Sequence, residues 1–232
     1  MLFKKKQKNT ERAGIIVADN PTSLVSEQFR TIRTNIKFSM VDQELNTLLV
    51  TSATPDSGKT TIASNLAAAC AMDGAKVLLV ATDMRKPRLS KVFNTANTNG
   101  ITTLLADRSQ MLEDVVRNSD IKNLDYLICG PIPPNPAELL SSNRMTDIMD
   151  AMKAQYDLVI FDRPPLLAVA DAQILAAKVD GTLLVVPKGE VTKAELKDAS
   201  NRLKKVNANV IGTVMNKVEA DSGMYYYYYG ED

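Results

Sequence analysis

The sequence predicts an α/β fold: a doubly wound, mainly parallel sheet with helices on both faces. Three observations predict it. Apolar runs rich in Val, Leu and Ile alternate with helical patterns along the chain, and continuous runs of this kind mark strands buried on both faces. The stretch Ser57-Gly58-Lys59-Thr60 sits between one such run and a helical pattern, which is the sequence form of a phosphate-binding loop. Two further apolar runs end in an aspartate, Asp83 and Asp162, and open parallel sheets bind ligands outside the carboxyl ends of their strands.

Composition bounds the chemistry. With 232 residues, 45% hydrophobic and 24% charged, the chain supports one domain with a full core. A net charge of +1 leaves no global field that would gather nucleic acid. Histidine is absent, which excludes Ser-His-Asp and Cys-His nucleophiles and disfavours zinc. Cys70 and Cys129 fall in apolar patterns and read as buried free thiols. The longest unbroken apolar run, residues 66–72, is too short to span a bilayer. Lys4-Lys5-Lys6 leads into polar residues instead of a secretory signal's apolar block, so a cytoplasmic location is expected.

In chain order, residues 1–20 read as a flexible basic arm and residues 21–218 as the folded domain. Thr22 or Ser23 caps a first helix with Leu24, Val25, Phe29, Ile32 and Ile36 at helical spacing. Glu27, Arg30 and Arg33 lie three apart on it, placed either to pair across a subunit interface or to form a solvated face. Residues 47–51 form a strand, followed by the phosphate loop and a helix over 62–72. A second strand over 76–82 ends in Asp83-Met84-Arg85-Lys86-Pro87. Short helices are expected over 100–106 and 112–117, and a third strand over 123–129. A stiff loop follows, Gly130-Pro131-Ile132-Pro133-Pro134-Asn135-Pro136. One helix is expected over 137–154, then a strand over 157–161 ending in Asp162. A helix near 171–178, a strand over 181–186, a helix over 192–205 and a strand over 210–214 complete the domain. Residues 219–232 read as a flexible tail holding Tyr225, Tyr226, Tyr227, Tyr228 and Tyr229.

The loop residues Pro55, Asp56, Ser57, Gly58, Lys59, Thr60 and Thr61 are the candidate nucleotide cradle. Backbone N–H groups and a helix N-terminus hold phosphate oxygens, Lys59 reaches the outer phosphates, and the Thr60 hydroxyl ligates Mg²⁺. Asp162 stands where such sites keep a metal-supporting aspartate. Asp83 serves either the metal or the reacting nucleophile. Asn216, at the end of the last strand, is placed to hydrogen-bond an adenine edge, an assignment the residues alone leave open. Consecutive tyrosines at a terminus do not pack, so the tail reads as a sticky end or as a cluster of phosphate acceptors, each gaining about −1.5 to −2 charges when modified.

These motifs together resemble the bacterial tyrosine autokinases (BY-kinases) of capsule and exopolysaccharide export. Pro55 to Thr61 resembles their Walker A motif and Asp83-Met84-Arg85-Lys86-Pro87 the end of their Walker A′. Tyr156-Asp157-Leu158-Val159-Ile160-Phe161-Asp162 resembles their Walker B, and the run from Gly130 through Pro136-Ala137-Glu138-Leu139-Leu140 is close to a family hallmark. Glu27, Arg30 and Arg33 match the E-x-x-R-x-x-R helix that builds the family's ring oligomer. The resemblance implies a P-loop kinase using ATP and Mg²⁺, with Lys59, Asp83, Arg85 and Asp162 as catalytic candidates and Thr60, Asp83 and Asp162 at the metal. It implies trans-phosphorylation of the tyrosine cluster, a membrane-bound polysaccharide co-polymerase or adaptor with an activating cytoplasmic tail, and recruitment to the inner face of the membrane.

Four positions depart from pattern. Ala53 replaces the first glycine of the loop, and Asp56 puts a negative charge in it. Ala81 stands where the family's D-x-D has its first acid, predicting nucleotide binding with slow transfer, since a general base is worth about 10²–10⁴-fold. Arg163 places a cation after the Walker B aspartate, expected beside the phosphates, where it either helps bind ATP or crowds the metal. The competing readings are a partitioning or division ATPase, whose extra lysine is Thr54 here, and a catalytically weak nucleotide-binding scaffold.

Overall fold

The computed structural model describes residues 14–40, 44–169 and 173–219. The expected tyrosine cluster lies outside the described residues. Helix α1 (Ile16–Asp19) is followed by α2 (Leu24–Ser39), β1 (Thr47–Ser52), α3 (Lys59–Met72), β2 (Val77–Ala81), α4 (Leu89–Val92) and α5 (Ile101–Ala106). Then come β3 (Arg117–Asn118), β4 (Leu124–Leu127), α6 (Pro136–Ser141), α7 (Asn143–Gln155), β5 (Leu158–Asp162), β6 (Gly181–Pro187), α8 (Lys193–Lys205) and β7 (Val210–Asn216).

Seven strands form one sheet in the order β3-β4-β2-β5-β1-β6-β7. Every pairing is parallel except β3 with β4. All residues of β1 and β2 are buried, and successive strand side chains point to opposite faces, so both faces are covered. The expected α/β architecture is therefore present. Helix α3 is buried along nearly its whole length. Its alanines at 63, 67, 68, 69 and 71 are at most 1% exposed and let the helix lie close against the sheet. Each fully buried leucine of the core, such as Leu48, Leu66 or Leu79, contributes about 1.5–3 kcal/mol.

Local boundaries differ from expectation for identifiable reasons. The helix expected over 137–154 breaks at Ser142, whose extended backbone ends α6 and begins α7. The Ser142 hydroxyl donates to Leu139 O at 2.7 Å and accepts from Met145 N at 3.2 Å, so one side chain serves both helix ends. The helix expected over 112–117 is a 3₁₀ turn, Leu112–Asp114, because Asp114 accepts the Met111 N–H at 2.8 Å and Arg117 joins the sheet edge. The helix expected near 171–178 is reduced, among the described residues, to a 3₁₀ turn at Leu175–Ala177.

The end of the basic arm is packed. Ile15 and Val17 are 0% and 1% exposed. Asn65 of α3, itself fully buried, accepts the Val17 N–H at 3.1 Å and donates to Gly14 O at 2.8 Å. A helix-borne amide thus satisfies the backbone of the entering chain, and the folded region begins before residue 21.

Candidate active site

The site is assembled by register. Val50 and Ala81 are the partners of Asp162 on the two sides of β5, so β2 and β5 end level and β1 runs on to Ser52. Asp162 is held there by its own backbone: its carbonyl accepts both the Thr82 N–H and the Thr82 hydroxyl at 2.9 Å.

The loop after β1 turns tightly. The Ser57 hydroxyl donates to Thr54 O at 2.7 Å, as does that of Ser52 at 2.6 Å. Gly58 caps α3 in the left-handed region at φ 84°, where a side chain is strained. A Cβ at Gly58 would stand 2.1 Å from Nδ2 of Asn216. Gly58→Ala is therefore expected to cost about 1–3 kcal/mol and to displace Asn216, read as a lower melting temperature together with weakened nucleotide binding. Among the described residues no acceptor takes the N–H groups of Asp56, Ser57 or Gly58, and these donors at a helix start suit anionic oxygens.

Thr60 Oγ1 donates to Asp162 Oδ2 at 2.7 Å, joining α3 to β5. Asp162 is 3% exposed, and its Oδ1 is buried without a hydrogen-bond partner among the described residues. Burial pushes this carboxyl up to about 7, against the pull of the Thr60 hydrogen bond and the Lys59 charge. Lys59 is 8% exposed. Burial lowers its pKa while Asp162 and Asp83 oppose the shift, and no ion pair among the described residues neutralises its ammonium. An orphaned carboxylate oxygen beside a hydroxyl, with an unneutralised ammonium near it, fits a divalent cation and its phosphate ligands. Among the described residues no group of three or more His, Cys, Asp or Glu could hold a metal. Mg²⁺ is commonly bound through one or two carboxylates plus substrate phosphates.

Asp83 lines the same cleft as Pro55, Asp56, Gly58, Lys59, Thr60 and Thr61, a cavity of about 320 Å³. Its Oδ1 accepts the N–H groups of Arg85 and Lys86 at 3.2 and 3.0 Å, so it shapes its own turn as well as facing the cleft. Ser57 is fully buried behind the loop.

Several expected placements are revised. Arg163 is 1% exposed and is not among the residues lining the cleft; the expected cation beside the phosphates is an interior side chain. The Arg85 side chain is exposed and does not line the cleft either. The Asn216 amide donates to Ser57 O at 2.9 Å, so it braces the loop. Asp56 adopts φ 54° and forms a solvent-exposed ion pair with Arg88 along the cleft lining. Arg33 turns inward, donating to Ala69 O at 3.0 Å and pairing with Asp73 at 3.2 Å. Glu27 and Arg30 pair with each other on the exposed side of α2. Lys86, Arg88 and Lys91 also line the cleft, a role that sequence reasoning misses; their only signal there is a basic run just after a strand-ending aspartate. Both cysteines are buried, and burial pushes their thiols up to about 11 and about 12, which removes them as nucleophiles.

Residues 46–215 match a family model described as an AAA domain. The chain is 44% identical to tyrosine-protein kinase YwqD of Bacillus subtilis, over 99% of this chain and 97% of that one. It belongs to the bacterial tyrosine-protein kinase family. It is 36% identical to tyrosine-protein kinase Etk of Escherichia coli K12 over 94% of this chain, which corresponds to 30% of that protein's length. The solved kinase domain of E. coli Etk superposes with a TM-score of 0.85 at 34% identity, covering 94% of this chain and 87% of that one. The chimerical protein CapA2B2 superposes equally well, TM-score 0.85 at 37% identity, covering 89% and 90%. The septum site-determining protein MinD of Pyrococcus horikoshii shares the fold at 22% identity, with a TM-score of 0.63 over 76% of this chain and 72% of that one. The division-ATPase reading thus keeps only a fold likeness. As a member of this family the chain is a protein-tyrosine kinase. No helix of the described residues is long and apolar enough to cross a membrane.

Proposed function

We propose that the cleft binds ATP with Mg²⁺ and that the chain transfers the γ-phosphoryl group to Tyr225, Tyr226, Tyr227, Tyr228 and Tyr229 of a neighbouring copy. The observation that carries this is the Thr60–Asp162 contact, with the orphaned Asp162 Oδ1 beside it. Thr60 and Asp162 hold the metal, which supplies charge neutralisation to the phosphoryl oxygens. The loop N–H groups and Lys59 hold the phosphates in place. Asp83 takes the phenolic proton as the tyrosine oxygen bonds to phosphorus and the bond to the departing ADP oxygen breaks.

The setting we infer is control of capsule or exopolysaccharide synthesis at the inner face of the membrane. Etk, a longer relative of which this chain matches 30%, and the CapA2B2 chimera support a partner working with the kinase, which we infer is a membrane-bound adaptor with an activating tail. Exposed Glu27 and its half-buried partner Arg30 support an interface role for α2 in a ring, with Arg33 setting the helix against α3.

Incubation of purified protein with Mg²⁺ and ATP, followed by anti-phosphotyrosine detection, tests the reading. Lys59→Met is expected to lower the signal at least about 10²-fold, and replacing all five tail tyrosines by Phe to remove it. Signal that survives Lys59→Met would sink the assignment. So would its absence from wild type with the adaptor tail present.

A further inference from the structure

The ion pair between Asp56 and Arg88 stands in the lining of the cleft, and the role proposed above for the cleft gives it no task. Asp56 belongs to the loop after β1 and Arg88 to the turn after β2, while β5, with Asp162 at its tip, lies between those strands in the sheet. The pair therefore ties together the two loops that flank the metal carboxylate. Both side chains are more than half exposed and both line the cleft, so neither has a packing role that demands a charge. Asp56 occupies the left-handed region at φ 54°, which aspartate enters more readily than most side chains but without gain in stability. An exposed ion pair returns only about 0–1 kcal/mol. Stability does not account for the arrangement.

We propose that Arg88 is a specificity-determining cation for nucleoside triphosphate, parked on Asp56 and transferred to the terminal phosphate when a triphosphate occupies the cleft. Guanidinium groups recognise phosphate in two-pronged fashion, and Arg88 already acts electrostatically on both Lys59 and Asp162. Asp56 is then the internal competitor. A diphosphate offers too little charge to draw Arg88 away, and a triphosphate offers more, so the pair sharpens discrimination between the two. This rests on the nucleotide reading of the cleft.

A two-by-two set of variants tests it, with Asp56→Asn, Arg88→Ala and both, measuring dissociation constants for ATP and ADP with Mg²⁺ by calorimetry. The exposed positions keep the fold, checked by melting temperature. Transfer of Arg88 predicts that Asp56→Asn tightens ATP several-fold. It also predicts that adding Arg88→Ala to Asp56→Asn weakens ATP about tenfold. Arg88→Ala alone costs less, because with Asp56 intact the breaking of the pair has already offset part of the gain. ADP is expected to change by less than threefold throughout. The opposite pattern, with Arg88→Ala harmful beside Asp56 and neutral once Asp56→Asn is present, would show that Arg88 only screens Asp56 and overturns the proposal. Equal losses for ATP and ADP overturn it as well. Wild-type protein that binds neither nucleotide removes the proposed function itself, a result distinct from either.

Discussion

Asp162→Asn is expected to abolish tyrosine phosphorylation and, in the nucleotide-free protein, to raise stability above pH 7. The two effects have one cause. Asp162 is buried with Oδ1 unpartnered among the described residues, and burial lifts its pKa from 3.8 to about 7. A folded-state value above the unfolded one means the folded protein binds more protons between about pH 4 and 7, so stability falls as pH rises through that window and levels off above it. Asparagine resembles the protonated acid, keeps an acceptor for Thr60, and carries no charge to desolvate. The gain should be near zero at pH 4 and about 1–4 kcal/mol at pH 8, seen in melting curves without Mg²⁺. Activity should drop by more than about 10²-fold, because the metal needs the carboxylate. A stability gain equal at pH 4 and pH 8 would show that burial does not set this group's charge.

Ala81→Asp should act in the opposite direction on both measurements. Ala81 is 2% exposed and is the register partner of Asp162 on β2, so its side chain shares a sheet face with that carboxylate. An aspartate there restores the second acid of the strand tip and gives the tyrosine proton and the metal a better-placed base. Initial rates of autophosphorylation at saturating Mg²⁺ and ATP are expected to rise about 10²-fold or more. The same substitution sets a second buried carboxylate beside the first. Without metal it should lower the melting temperature by several degrees, and Mg²⁺ should recover much of that loss. Unchanged rates would mean that Asp83 alone suffices, and that the acid at 81 is dispensable in this chain.

Much of the architecture is legible along the chain because its causes are local. Continuous apolar runs mark β1, β2, β5 and β6, since a strand covered on both faces needs no alternation. Gly-Lys-Thr after β1 locates the loop, since a left-handed residue is needed just where α3 begins and glycine supplies it. Helix interruptions are less legible. Ser142 has no sequence feature that distinguishes a double cap from a mid-helix serine; its role depends on whether the chain turns there to lay α7 on β5.

Residue order alone was enough for the sheet, the phosphate loop, and the convergence of Lys59, Thr60, Asp83 and Asp162 at the strand tips, because strand ends in a parallel sheet necessarily meet at one edge. The directions of the long side chains were settled by folding in three dimensions. Arg163 turns into the interior, Arg33 onto the end of α3, Asn216 onto a loop 159 residues away, and Asp56 across to Arg88, 32 residues on. A polar side chain turns toward the partner it finds, and the partners of Arg33, Asn216 and Asp56 lie on elements distant in the chain. No spacing along the chain contains that information.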